Sequence, residues 1–148
     1  MDGKASIEPL YATLMNFLLL NKQQLVALGS EFDLTGMQTQ TLLMLHWHGS
    51  RPMNNLCTIF GCDPSNVTGL IDGLERKGLL RRTEKPGDRR VKILELQAEG
   101  AAVCARLLQK LSDKNSYILS RLSEHELAQF IAIMQKLTEG HPSSPHAT

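Results

Sequence analysis

The segment DPSNVTGLIDGLERKGLLRRTEKPGDRRVKILEL, from Asp63 to Leu96, carries most of the information about how this chain folds. It opens with a predicted helix, because Asp63 can cap free backbone N–H groups and Pro64 fits the first helical position, where its missing N–H is harmless. Apolar residues then recur with the spacing of one helix face: Val67, Leu70, Ile71 and Leu74. Gly78 predicts the end of this helix. The segment therefore begins with an amphipathic helix that faces a core.

A β-hairpin is predicted directly after this helix. Leu79–Glu84 and Val91–Leu96 are short strand-like segments, and the second alternates apolar and charged residues with a period of two. Between them, Lys85–Arg90 combines a Pro-Gly turn with exposed cations. A shorter helix from about Met53 to Phe60 precedes the segment and ends at Gly61. Two helices around a tight glycine-containing turn, followed by a hairpin, predict a winged helix-turn-helix, which is a DNA-binding arrangement.

The outward face of the predicted helix and the hairpin carry polar and cationic residues. Small or polar residues form the stripe opposite the apolar one: Ser65, Thr68, Gly69, Asp72 and Arg76. The chain has a formal charge of only +1, yet the range 75–92 holds eight Lys and Arg against three Asp and Glu, a local charge of +5. Binding to phosphates depends on such a local patch rather than on the overall pI. An ordinary solvated hairpin could carry the same run of charges. The DNA-binding interpretation is favoured because this run directly follows a capped helix with a polar outer face.

Helical periodicity continues towards the amino-terminal side of this segment. A long first helix over residues 7–30 has a wider apolar face than one partner requires, which suggests a second subunit. Thr35 and Gln38 match a capping box, which opens a helix that ends at Gly49. The short connection over residues 51–53 has no clear strand pattern, so we do not expect a third strand in the wing.

Two further helices are predicted after the hairpin. A long helix runs from Ala98 to about Ser120, although Gln97 stands where a stronger helix cap would be expected. Ser123 and Glu126 match a second capping box, which begins the last helix. Residues 140–148 have the composition of a frayed tail.

Length and composition indicate one soluble domain. A chain of 148 residues can bury a core, and one domain is the prior expectation. No apolar run approaches the ~20 residues that span a bilayer, and no cleavable signal pattern opens the chain. Cys57, Cys62 and Cys104 do not form a disulfide framework, which agrees with a reducing compartment. We therefore expect a cytoplasmic protein with no membrane partner.

These residues carry a resemblance to the MarR family, the multiple-antibiotic-resistance type of winged helix-turn-helix regulators. The resemblance is in Leu56, in Ser65-Asn66-Val67-Thr68, in Leu74-Glu75-Arg76-Lys77-Gly78-Leu79 and in Asp88-Arg89-Arg90. The order of elements matches from about residue 7 to 138. The resemblance implies a mainly α (α+β) fold with a short hairpin wing, in a single domain over 1–148. Dimerisation helices would span 7–30 and 98–138, the DNA-binding lobe 35–96 and a flexible tail 140–148.

The resemblance also implies a homodimer on a pseudo-palindromic stretch of double-stranded DNA. Its recognition helices would enter successive major grooves about one turn, ~34 Å, apart. It implies roles in DNA binding for Ser65, Asn66, Thr68, Gly69, Asp72 and Arg76, and for Asp88, Arg89 and Arg90 in the wing. Arg89 would reach the minor groove, where negative potential concentrates, while Asp88 and Arg90 would hold the shape of the turn.

Two features of the recognition helix leave alternatives open. Asp72 could accept a hydrogen bond from cytosine N4, but it could equally be a solvated charge or an internal partner for Arg76 at i+4. Gly69 and Gly73 lie inside the helix and each costs about 1 kcal/mol relative to alanine. Close approach to DNA or tight packing must therefore justify these two glycines, or the helix is soft.

Effector and redox control are both open at this level. Regulators of this family often bind small aromatic or phenolic acids between the dimerisation helices and the DNA-binding lobe, and a set of four residues could line such a site: Leu18, Met44, Trp47 and His48. An apolar stripe at helical spacing is also what a simple core requires. Cys57 and Cys62 flank the turn before the recognition helix, where oxidation could distort the DNA-binding lobe. The resemblance implies a repressor that its effector releases, and activation is equally compatible with these residues.

Other classes of function lack their motifs. We find no Gly-x-Ser-x-Gly, Walker loop, dinucleotide fingerprint or metalloprotease helix, so we expect neither an enzyme nor a cofactor. His46 and His48 are two residues apart, which places them on different faces of a helix, and no metal site is expected. A helical protein-interaction module, in which the basic wing binds an acidic partner, is the remaining alternative.

Overall fold

A computed structural model describes residues 7–113 and 120–140 of the chain. Six helices and three strands are described within these ranges: α1 (Ile7–Ser30), α2 (Gly36–His48), β1 (Arg51–Pro52), α3 (Met53–Phe60), α4 (Pro64–Arg76), β2 (Leu80–Lys85), β3 (Asp88–Leu96), α5 (Ala98–Leu111) and α6 (Glu124–Thr138). The chain divides into two compact units between Gln40 and Thr41. A mainly helical chain with one small antiparallel sheet confirms the predicted fold class.

The first unit contains α1 and the start of α2. The capping box is confirmed: the Thr35 N–H donates to Gln38 Oε1 at 3.0 Å, and the Gln38 N–H donates to Thr35 Oγ1 at 3.2 Å. Large apolar side chains of α1 are exposed over most of its length: Ile7, Leu10, Tyr11, Leu14, Met15, Leu18, Leu19, Leu20 and Val26. The breadth of this apolar surface agrees with the sequence pattern.

The second unit contains the three-stranded sheet in the order β1-β3-β2, with both pairings antiparallel. The prediction that the wing lacks a third strand is wrong, because Arg51 pairs with Leu94 and Pro52 with Ile93. Two residues are too few to show a sequence pattern, and Pro52 lies in an edge strand, where its missing N–H is tolerated. This short strand connects α2 to the base of the wing.

The core of the second unit joins the helices to the sheet. Its most deeply buried side chains come from α2, α3, α4, β2, β3 and α5: Leu42, Leu56, Val67, Ile71, Leu74, Leu80, Leu94 and Leu107. At the start of α5, the Gln97 N–H donates to the Leu79 carbonyl oxygen at 2.9 Å. A Cβ on Gly100 would overlap the same carbonyl oxygen, so this glycine permits α5 to pack against the base of the hairpin. The recognition helix and the wing therefore share one core.

The carboxy-terminal helices differ in one respect from the prediction. The capping box of Ser123 and Glu126 is confirmed at the start of α6. However, α5 ends at Leu111, well before the predicted end near Ser120, and the Ser112 hydroxyl bonds back to the Gln109 carbonyl oxygen at 3.0 Å. Serine favours helix ends because its side chain competes for backbone groups. The rest of that predicted helix, over 114–119, and nearly all of the predicted tail lie outside the described residues.

Across residues 7–113 and 120–140, we find no helix with the length and apolarity that crossing a membrane requires.

Candidate nucleic-acid interface

The recognition helix α4 begins as the sequence predicts, but Asp63 caps it differently. Pro64 occupies the first helical turn, and Asp63 is the N-cap residue. Its backbone carbonyl oxygen accepts from the N–H groups of Asn66, at 3.0 Å, and Val67, at 3.2 Å, while its side chain makes no cap hydrogen bond. The predicted side-chain cap is therefore wrong, because the backbone carbonyl already binds these N–H groups. At the other end, Gly78 adopts φ +69°, which confirms the predicted stop.

The two faces of α4 separate as the periodicity predicts. The buried face contains Val67, Ile71, Gly73 and Leu74. The outward face carries exposed residues, with Asp72 half-buried: Ser65, Asn66, Thr68, Gly69, Asp72 and Arg76. The Thr68 hydroxyl donates to the Pro64 carbonyl oxygen at 2.9 Å, so it is held along the helix rather than extended. Of the two interior glycines, Gly73 lies on the buried face and Gly69 on the exposed face.

An ion cluster joins α4 to the first strand of the wing. The Arg82 guanidinium donates to Asp72 Oδ1 at 2.6 Å and to Glu75 Oε2 at 2.6 and 3.0 Å. The Arg82 backbone N–H also donates to Glu75 Oε1 at 3.0 Å. Asp72 does have an internal partner, but the hypothesis that this partner is Arg76 is wrong. Arg82 binds the Asp72 carboxylate, and Arg76 Nε instead donates to the Asp72 backbone carbonyl oxygen at 3.3 Å.

The pKa values of this cluster shift in the directions that mutual stabilisation requires. The hydrogen bond from the Arg82 backbone N–H, and then those from its guanidinium, lower the pKa of Glu75. Hydrogen bonding to Glu75 raises the pKa of Arg82. Sequence reasoning missed Arg82 and Glu75 as a pair. The spacing of Asp72 and Glu75, three residues apart on one helix face, was the available signal.

The wing places two arginines well into solvent. A tight turn at Pro86 and Gly87 joins β2 to β3, and Gly87 adopts φ +86°. Asp88 Oδ1 accepts from the Arg90 backbone N–H at 3.1 Å and from Arg90 Nε at 3.3 Å, which braces the turn. The Arg89 side chain is 90% exposed, and its Nε lies 3.6 Å from Glu84 Oε2. Such an exposed ion pair is weak, so Arg89 can leave Glu84 and bind a phosphate or enter a DNA groove at little cost in free energy.

The other hairpin cations bind carboxylates on the neighbouring strand. Arg81 Nε donates to Glu95 Oε2 at 2.8 Å, and Lys92 Nζ donates to Glu84 Oε1 at 3.1 Å. Hydrogen bonding from Arg81, followed by Thr83, lowers the pKa of Glu95. Part of the positive charge counted from the sequence is therefore neutralised within the sheet. The most exposed of the ion-paired hairpin cations lie at the tip of the wing, at Arg89 and Arg90.

The predicted effector residues have different surroundings. Met44 is buried in the core, Trp47 is exposed on the same helix and His48 is half-buried, while Leu18 is half-exposed in the first unit. A role for these four residues in ligand binding stays a prediction.

The cysteines also differ in their surroundings. Cys57 and Cys62 are half-buried, and Cys57 lines a cavity of about 260 Å³ beside Pro64 and Val91. Burial raises the pKa of the Cys104 thiol to about 11. Among the residues that the structure describes, no group of three or more His, Cys, Asp or Glu could hold a metal ion.

Comparisons with known proteins converge on one family. A family model described as "MarR family" matches residues 34–92. The HTH-type transcriptional repressor MdtR of Bacillus subtilis is 34% identical over 105 residues, which cover 71% of this chain and 68% of the relative. The HTH-type transcriptional repressor NicR of Pseudomonas putida is 29% identical over 113 residues, covering 72% and 68%.

Solved structures show the same fold. The regulator BldR from Sulfolobus solfataricus superposes with a TM-score of 0.72 at 23% identity, over 93% of this chain and 99% of that chain. A mutant MarR from E. coli, complexed with operator DNA, superposes with a TM-score of 0.66 at 24% identity, again over 93% and 99%. Both confirm the winged helix architecture.

Proposed function

Because this chain belongs to the MarR family of transcriptional regulators, which are not enzymes, we propose that it binds operator DNA sequence-specifically as a homodimer and represses transcription there. One arrangement supports this most directly: the polar face of α4 and the exposed Arg89 of the wing lie on a single lobe with one core. A helix in the major groove with an arginine in the adjacent minor groove is how such lobes read a duplex. The acidic-partner alternative gives no role to the small polar stripe of α4.

A second copy of the chain would cover two exposed apolar helix faces. In the first unit, α1 exposes nine large apolar side chains. In the second unit, no residue of α6 is buried, and Ile131 and Leu137 are 48% and 71% exposed. Soluble proteins rarely leave large apolar patches in water, so an isologous dimer through these helices is favoured. Two lobes related by a twofold axis would then match an inverted repeat.

Repression and effector release complete the proposal. MdtR and NicR are named as repressors, which favours repression for this chain. An effector can release the operator only if it binds one dimer geometry more tightly than the other. The predicted site contains Trp47, the only tryptophan of the chain. Titration with small aromatic acids should therefore change its fluorescence and weaken DNA binding over the same concentration range. Such a regulator acts where bacterial DNA lies, in the cytoplasm.

Selection of bound duplexes from a random library at physiological salt tests the DNA-binding proposal. We expect an enriched inverted repeat with half-site centres about one helical turn, ~34 Å, apart. The wing is then tested with Arg89→Ala, which should weaken binding to that repeat and lower the salt slope by about one unit. The matched control is Arg106→Ala on α5, which removes the same charge outside the recognition helix and the wing and should leave the slope unchanged. Failure to enrich any sequence would contradict the proposal and favour the protein-interaction alternative.

The homodimer is tested separately by a charge placed on α6. Ile131→Glu should shift the protein towards monomer in analytical ultracentrifugation, because it places a carboxylate in the exposed apolar face of α6. The control is Gln129→Glu, which adds the same charge on the opposite side of the helix and should leave the dimer intact. A wild-type protein that sediments as a monomer at micromolar concentration would refute the dimer.

A further inference from the structure

Gly69 has no explanation within the folded chain. Glycine in the interior of a helix destabilises it relative to alanine, so a reason for its presence is expected. Its backbone does not require glycine, since it is not among the glycines with positive φ. Packing does not require it either, because a Cβ at Gly69 would meet no atom within 4 Å among the residues that the structure describes. This sets Gly69 apart from Gly100, where a Cβ would overlap a carbonyl oxygen.

The surroundings of Gly69 indicate what kind of group could approach it. It lines a shallow depression of about 510 Å³ together with Asp72, Glu75, Arg76 and Arg82. Two carboxylates and two guanidinium groups leave this depression without net charge. Arg82 holds both carboxylates by hydrogen bonds of 2.6 to 3.0 Å. A phosphate in this depression would lie close to two acids, and Arg76, whose Nε bonds to a backbone carbonyl oxygen, is the cation left to attract it. A neutral group is the better fit.

We propose that Gly69 is a specificity-determining residue: its missing side chain lets the C5-methyl group of a thymine pack against the backbone of α4 in the major groove. This rests on the proposed function, because the helix must lie in that groove. Of the bases, only thymine projects a methyl group there, and small apolar contacts recognise it. A Cβ at position 69 would occupy the space of that methyl group.

The experiment uses the inverted repeat that the wild-type protein selects, with each thymine replaced in turn by deoxyuridine, which lacks the methyl group. At one thymine in each half-site, the wild-type protein should lose roughly fourfold in affinity, the contribution of one buried methyl group. Gly69→Ala should reverse this preference, binding the deoxyuridine duplex better than the thymine duplex. The same variant should melt about 2–4 °C higher than wild type, because alanine is the better helix former.

A control and three contrary outcomes make the test decisive. Ser65→Ala removes a hydroxyl from the same face of α4, one turn earlier. Whatever it does to overall affinity, it should keep the wild-type ratio of affinities for the thymine and deoxyuridine duplexes. If Gly69→Ala retains both the wild-type preference and the wild-type affinity, the assignment of Gly69 is overturned while DNA binding stands. If Gly69→Ala weakens binding equally to all duplexes, a phosphate is the neighbour and the assignment is again overturned. If the wild-type protein selects no sequence, the proposed function fails and the assignment falls with it.

Discussion

Replacing Arg82 by methionine should destabilise the fold through loss of a single ion cluster. The Arg82 guanidinium makes three hydrogen bonds to Asp72 and Glu75, and it is the link between α4 and β2 that sequence reasoning missed. Methionine keeps an unbranched apolar stem, so packing along the strand is largely retained. The backbone N–H at this position would still reach Glu75 Oε1. The substitution therefore removes the charge and little else.

The expected loss is intermediate between those of surface and buried pairs. Hydrogen bonds to charged groups contribute roughly 1.5–3 kcal/mol each when water is excluded, and exposed ion pairs contribute about 0.2–1 kcal/mol. The side chains of Arg82, Glu75 and Asp72 are 29%, 35% and 45% exposed, so solvent screens each bond substantially. Repulsion between the two remaining carboxylates, which are three residues apart, adds a few tenths of a kcal/mol. We expect the free energy of unfolding to fall by about 2 kcal/mol.

Urea unfolding followed by circular dichroism measures this loss. With a slope of about 2 kcal/mol/M, the midpoint should fall by about 1 M. Protein concentration is held constant, because dimerisation links stability to concentration. A double-mutant cycle with Glu75→Gln should give a coupling energy of about 1 kcal/mol between the two residues.

Arg90→Met is the matched control, and it also provides the refuting result. Its side chain is 93% exposed, and its guanidinium has one carboxylate partner among the described ion pairs, Asp88, at 3.3 Å. We expect this variant to stay within about 0.5 kcal/mol of wild type. If Arg82→Met costs no more than Arg90→Met, or if the cycle shows no coupling, then Arg82 does not join α4 to the wing in the way its distances indicate.

The same cluster and two buried positions elsewhere in the chain support three further predictions. The lowered pKa of Glu75 contributes stability that is fully present above the ordinary glutamate pKa of about 4.3 and is lost as the pH falls through the lowered pKa. The difference in unfolding free energy between wild type and Glu75→Gln, measured by urea titration, should therefore shrink as the pH falls below about 4.3. With its pKa raised to about 11, the buried Cys104 should alkylate far more slowly than half-buried Cys57 at pH 8, as peptide mass spectrometry would report; equal rates would contradict its burial. Gly100→Ala should lower the melting temperature, because the new Cβ overlaps the Leu79 carbonyl oxygen and overpacking costs about 1–3 kcal/mol, whereas an unchanged melting temperature would show that α5 can shift.

Several site predictions remain untested by the geometry. Ser65, Asn66 and Thr68 are exposed on α4, as a DNA-reading stripe requires, and their contacts with DNA stay predictions. The same holds for the effector residues around Trp47 and for a redox role of Cys57 or Cys62. Each of these predictions depends on a molecule that binds from outside the chain. A single sequence contains the residues that would contact such a molecule, but not the molecule itself.

Features that form within about one helical turn could be predicted from the sequence. The two capping boxes, Thr35 with Gln38 and Ser123 with Glu126, join residues three apart, and their hydrogen bonds form wherever the helix forms. The stop at Gly78 depends on the conformation of one residue. The resemblance to a family was carried by such local segments, in which residue types stand at short spacings.

Contacts between segments that are distant along the chain became visible in the tertiary structure alone. β1 exists because β3, about 40 residues later, returns to pair with it, and two residues alone carry no strand pattern. Arg82 finds its carboxylates on a different element, whereas the internal partner that the sequence suggested for Asp72 was Arg76, one turn away on the same helix. Local signals leave the relative placement of two elements undetermined. The shared core of Leu56, Leu74 and Leu94 supplies that placement, because apolar burial brings the helices and the hairpin together.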